Sequence, residues 1–224
     1  MISELLGALL GVHVVAGVVA LLSGLVAIGT RKGGLWHRRA GRVYAATMGV
    51  VVVTALPLAA VDADYFLFSI AVFSGYLVFA GYRVLSRKRP EPGEAASVDW
   101  AGHLTMVGFG LGMVGLGGYD LLGGDSLGVA LMTFGGIGLA LAGREIRSVY
   151  RPSPEPREWF FKHIVFMGGG YIATVTAAVT VNLTMLPPLL RWVGPTLVGT
   201  PAILLTTIKY RRRFDTDSSE AAPR

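Results

Sequence analysis

Apolar residues run along this chain in seven long blocks, each closed by a short polar stretch. The blocks cover Leu5–Gly29, Ala40–Val61, Tyr65–Leu85, Trp100–Leu122, Leu127–Arg144, Trp159–Asn182 and Leu189–Tyr210. A bilayer core of about 30 Å takes roughly 20 helical residues to cross, and every block meets or approaches that length. Hydrocarbon offers no partner to an open backbone, so the blocks predict helices. The expected fold is an all-α integral membrane bundle of seven transmembrane helices over residues 1–213, with 214–224 a short, polar, disordered cytoplasmic tail. Pro57 in the second block and Pro195 and Pro201 in the seventh predict bends.

The polar positions orient the bundle. Following the chain from block to block, 19 of the 20 basic residues fall on one side, and only Arg191 falls on the other. The rich side is cytoplasmic by the positive-inside rule, which puts the N-terminus outside and the C-terminus inside. The opposite side carries Glu4, Asp62, Asp64, Asp120 and Asp125 in its turns. The expected location is therefore the cell (cytoplasmic) membrane, crossed several times. The first block has no basic leader and ends in Arg31-Lys32, so it reads as a retained span and not a cleaved signal.

Composition agrees with the pattern. Hydrophobic residues make up 53% of the chain and charged residues 15%, whereas a soluble domain carries about 25% charge to face water. The net charge of +6 does not point to nucleic acid, because the basic residues sit between apolar blocks and not on a soluble face. The expected partner is the bilayer, with Arg38, Arg39, Arg42 and Lys162 on anionic lipid headgroups. There are no cysteines, which excludes disulfides, thiolate metal sites and catalytic thiols. Glycine, at 31 residues, suits helices packed backbone to backbone in lipid. That reading also covers the runs Gly108–Gly112 and Gly135–Gly138, which lie mid-block and not in nucleotide-binding loops.

Two cytoplasmic connections resemble each other. One reads Ala80-Gly-Tyr-Arg83, Arg89-Pro-Glu-Pro92, Asp99-Trp100, His103; the other reads Ala142-Gly-Arg144, Pro154-Glu-Pro156, Glu158-Trp159, His163. The similarity predicts internal helix-hairpin repeats, helices 3–4 matching 5–6, with a looser echo at Leu35-Trp36-His37. Three of the four histidines, His37, His103 and His163, thus start helices 2, 4 and 6 at similar depth. With Asp99 one turn before His103 they form a candidate metal set. Three imidazoles and a carboxylate suit zinc, and a pair such as His103 and His163 suits the axial positions of haem b. The plainer alternative is interfacial anchoring by tryptophan and half-solvated histidine.

His13 lies inside helix 1, where an ionisable group faces the bundle interior or water. It is a candidate proton relay or a hydrogen-bonded structural residue, with Asn182, Thr180, Asp62 and Asp120 at similar depth. Thr174, Thr176 and Thr180, ending at Asn182, give helix 6 a polar face suited to interhelical hydrogen bonds or a cavity lining.

The buried histidine of helix 1, the segment Lys32-Gly-Gly-Leu-Trp-His-Arg-Arg-Ala-Gly-Arg-Val-Tyr44, and His163 followed by Met167-Gly-Gly-Gly-Tyr-Ile-Ala-Thr-Val-Thr-Ala177 resemble a family of small prokaryotic multi-pass membrane proteins of unknown function. The resemblance implies membrane location, marks His13, His37 and His163, and carries no activity. Three functional classes stay open at this point: a metal- or haem-bearing membrane protein, a small-solute or proton transporter, and a non-enzymatic sensor or structural component.

Overall fold

The computed structural model describes residues 2–155 and 157–220, with the side chains of 217–220 left aside. Seven helices follow in order: α1 (Ile2–Gly29), α2 (Leu35–Val61), α3 (Tyr65–Arg83), α4 (Ser97–Leu122), α5 (Leu127–Tyr150), α6 (Glu158–Asn182) and α7 (Pro188–Glu220). Each is long and apolar enough to cross a bilayer, which makes the chain a multi-pass membrane protein. The helices overrun the apolar blocks at the basic end: α2 starts at Leu35 instead of Ala40, and α5 continues to Tyr150 instead of Arg144. Charged side chains at a span's end reach out along the helix to water, so charge does not stop the backbone. The helices stay continuous through Pro57, Pro195 and Pro201. α7 is helical as far as Glu220, past the Phe214 at which the tail was expected to begin, and residues 221–224 lie outside the described part.

Burial is inverted relative to a soluble protein. Val53 and Val198 stand on the outside, while Asp99 and His103 are buried. An apolar exterior of this kind is solvated by lipid tails.

Two groups of helices share α3. On one side α1, α2, α3 and α6 form a ring in which each helix packs on its two neighbours and not on the one opposite. Ala20, Tyr44, Met48 and Val78 fill its centre. On the other side α3 packs on α4 and α5, around Phe73, Met106, Leu131 and Phe134. The α4–α5 seam is the closest in the molecule: a Cβ placed on Gly117 would lie 2.7 Å from the carbonyl oxygen of Gly128. Glycine is what lets these backbones meet, as the mid-block glycine runs predicted.

The two similar connections join differently packed helices. α3 rests on α4, but the backbones of α5 and α6 stay apart, with α6 taken up by α3, α1 and α7. The separation leaves a gap at the basic end, between the last turns of α5 and the first turns of α6.

Candidate functional site

The structure brings together two of the expected residues, His37 and His163, from the opposed helices α2 and α6 of the ring. Their ring centres are 6.3 Å apart and their planes cross at 78°. His37 Nδ1 lies 2.9 Å from the carbonyl oxygen of Ala27, in the last turn of α1. His163 Nδ1 lies 2.8 Å from the carbonyl oxygen of Gly81, in the last turn of α3. A carbonyl only accepts, so in both rings Nδ1 donates, and in the neutral form of each ring Nε2 keeps the lone pair. This second-atom anchoring is the arrangement that metal-bound histidines use.

The local sequence explains each position. The last carbonyls of a helix have no partner within it. In α1 they are taken by His37 and by Lys32, whose Nζ donates to Ile28 O at 2.8 Å and to Ala27 O at 3.3 Å. Gly33, at φ +75°, turns the chain so that α2 can start beside them. Burial at this corner pushes the Lys32 ammonium below its ordinary pKa. In α3, Gly81 serves because a Cβ there would meet Met167 Cγ at 2.8 Å, one turn after His163. Gly41, one turn after His37, has open space where its Cβ would be.

His103 and Asp99 belong to a different place. His103 is 5% exposed, and its Nδ1 meets Tyr76 Oη at 3.1 Å. Tyr76 and Gly81 are five residues apart on α3, so they point roughly 140° apart around its axis. His103 and His163 therefore sit against different faces of α3 and do not form the axial pair considered from the sequence. Nor does Asp99 orient His103. It is 2% exposed and bound by Arg83, with Nε on Oδ1 at 2.8 Å and Nη2 on Oδ2 at 3.0 Å, and by Arg87 Nη1 at 3.2 Å. Among the described residues no three histidine, aspartate or glutamate side chains converge as a metal site, so the four-residue zinc set is not assembled.

Asp99 and His103 instead line a vestibule of about 480 Å³ at the basic end, where α5 and α6 diverge. Lys162 spans the gap: its Nζ reaches Glu145 Oε1 at 2.9 Å and Ser148 Oγ at 2.9 Å. Lys162, expected among the headgroup contacts, is thus turned inward. Lys88 lies 4.5 Å over the Trp159 ring at the rim. Arg38, Arg39 and Arg42 stand at the basic end of α2, with Arg38 and Arg39 flanking its first turns. Tyr76, Arg83, Arg87 and Glu145 escaped the sequence reading. The available signal was Arg83 and Arg87 one helical turn apart, followed by an acid at the start of the next span.

His13 finds partners other than those expected. Its Nδ1 meets Thr54 Oγ1 at 3.0 Å and Val51 O at 3.1 Å, both on α2. Thr176 donates to Ile172 O at 2.9 Å and Asn182 to Ala178 O at 2.8 Å, each within α6. Thr174 is the residue of that polar face that reaches across the ring, to Tyr44 Oη at 3.2 Å. No family model, no curated protein and no solved structure matches the chain.

Proposed function

We propose that this multi-pass membrane protein is a one-electron carrier in which His37 and His163 hold a single haem b at the cytoplasmic end of the α1–α2–α3–α6 ring. The observation that carries this reading is the 6.3 Å spacing of two rings whose Nδ1 atoms are both tied to carbonyls. His37 and His163 would hold the group through Nε2, the ring nitrogen that the two carbonyl contacts leave available. Two imidazoles alone would not complete a zinc site, and among the described residues no group of three histidine, aspartate or glutamate side chains converges. The four-helix ring suits a cofactor held between opposed helices, and Gly41, one turn after His37 on α2, has nothing within 4 Å of where a Cβ would lie.

When bound, the haem supplies a reversible one-electron couple. The chain's own part is to orient and tune. Ala27 and Gly81 fix the tautomers and raise the basicity of the ligating nitrogens. Tyr44 and Met48 exclude water from the ring's centre. The basic residues around Lys32 suit the carboxylates of a porphyrin edge.

The test is an absorption spectrum and a haem assay on the purified full-length protein, after expression with adequate haem. The wild type shows a Soret band with one haem per chain. His37→Ala and His163→Ala each lose it, and His103→Ala keeps it. A wild type that shows no Soret band even after haem is added overturns the reading, as does a band that depends on His103.

A further inference from the structure

The vestibule is a separate site with its own chemistry. Its floor lies within the helical part of the molecule: Asp99 and His103 are among the most buried polar side chains, and both line the cavity. His103 hydrogen-bonds through Nδ1, which leaves Nε2 as the ring nitrogen for a ligand in the cavity that the residue lines. Around this floor the charges do not balance. Two guanidiniums share the one carboxylate of Asp99. Five basic side chains line the cavity against four acidic ones, and one of those acids, Glu155, is taken by Arg211 of α7 at 3.1 Å. The surplus is about two positive charges, carried at the rim by the exposed Lys88 and Arg89. A rim of one sign over a low-dielectric floor draws an anion into the cavity.

We propose that the vestibule binds a phosphate monoester group carried on a molecule with an apolar body. A phosphomonoester brings about −1.5 to −2 charges, which matches the surplus, whereas a carboxylate brings half of that. Arg83, pre-oriented by Asp99, and Arg87, held by Asp99 and by the Glu94 carbonyl, offer their remaining N–H groups to the phosphate oxygens. His103 Nε2 accepts the proton of the monoprotonated ester or, once charged, donates to the dianion. A cavity of about 480 Å³ is far larger than a phosphate, and Phe79, Val84 and Trp159 give the rest of it an apolar wall. The site lies at the basic ends of the spans, so the same group arrives either on a soluble phosphate compound or on an anionic lipid.

Binding of dioctanoyl phosphatidic acid to the full-length protein in detergent tests this, with inorganic phosphate as competitor and dioctanoyl phosphatidylcholine as control. Saturable binding of the phosphatidic acid and none of the phosphatidylcholine is expected. The exposed rim variant Lys88→Gln/Arg89→Gln and His103→Ala each weaken binding about ten-fold. Arg212→Gln/Arg213→Gln, exposed at the same end of the molecule but outside the cavity lining, leaves affinity as it was. Competition by inorganic phosphate assigns the site to soluble phosphate compounds; binding of the lipid without competition assigns it to a headgroup. Failure of both probes to bind the wild type overturns the proposal. So does equal affinity in the rim variant, which keeps its fold because neither side chain is buried.

Discussion

His163 and His103 stand against two faces of the same helix, and α3 treats them differently. His163 meets a backbone carbonyl at Gly81, while His103 meets a side-chain hydroxyl at Tyr76. A carbonyl cannot donate, so it fixes which nitrogen holds the proton. A phenol can both donate and accept, so it leaves the tautomer of His103 free to change. The first face therefore fixes the proton on one nitrogen of its histidine, and the second leaves either tautomer open. Similar depth along the chain did not make the residues equivalent; the identity of one neighbouring atom did.

Substitutions on the two faces of α3 separate these roles. The largest effect belongs to Asp99→Ala, which leaves Arg83 and Arg87 facing each other without a counter-charge. The arginine side chains are 32% and 21% exposed, so the loss falls at the low end for a broken buried pair, about 3 kcal/mol in a reversible denaturation measurement. Gly81→Val acts on the opposite face by forcing Met167 away and moving the carbonyl that anchors His163. It costs about 1–3 kcal/mol by overpacking and weakens haem retention, read from the Soret band, while phosphatidic acid binding persists. Tyr76→Phe removes one buried hydrogen bond and costs about 1 kcal/mol; its effect appears in the vestibule and not in the haem spectrum.

The smallest expected effect is at Lys32, which burial holds below its reference pKa of 10.5. The unfolded chain binds that proton more tightly than the folded one, so stability rises with pH between the folded value and 10.5. Lys32→Gln should flatten that part of the profile. An unchanged slope would place the lysine in water instead of at the α1 corner.

The seven spans were legible because a bilayer imposes one length on every helix that crosses it. Helix ends were less so: the apolar block that stops at Arg144 hides Glu145, which α5 carries on into the vestibule. Histidine depth was also legible, since it follows from position in each helix. Partnership was not, because it depends on rotation about α3 and on which helices touch. The likeness of the two basic-side connections suggested that His103 and His163 are counterparts, yet α5 and α6 do not pack as α3 and α4 do. Asp99 sits one turn before His103, but two guanidiniums, from Arg83 of α3 and from Arg87 in the connection after it, claim it more strongly than an imidazole can. His13 shows the same limit, its partners being Thr54 and a carbonyl of α2 and none of the acids at its depth.

The ring that frames His37 and His163 is closed by a helix which the ribosome delivers late. α1, α2 and α3 emerge together, but their fourth member, α6, follows only after α4 and α5 have been threaded into the membrane. Until then His37 faces an unfilled side of the assembly. The pairing of the two imidazoles is thus a late step of biogenesis, and a chain truncated after α5 inserts five spans but leaves His37 without His163.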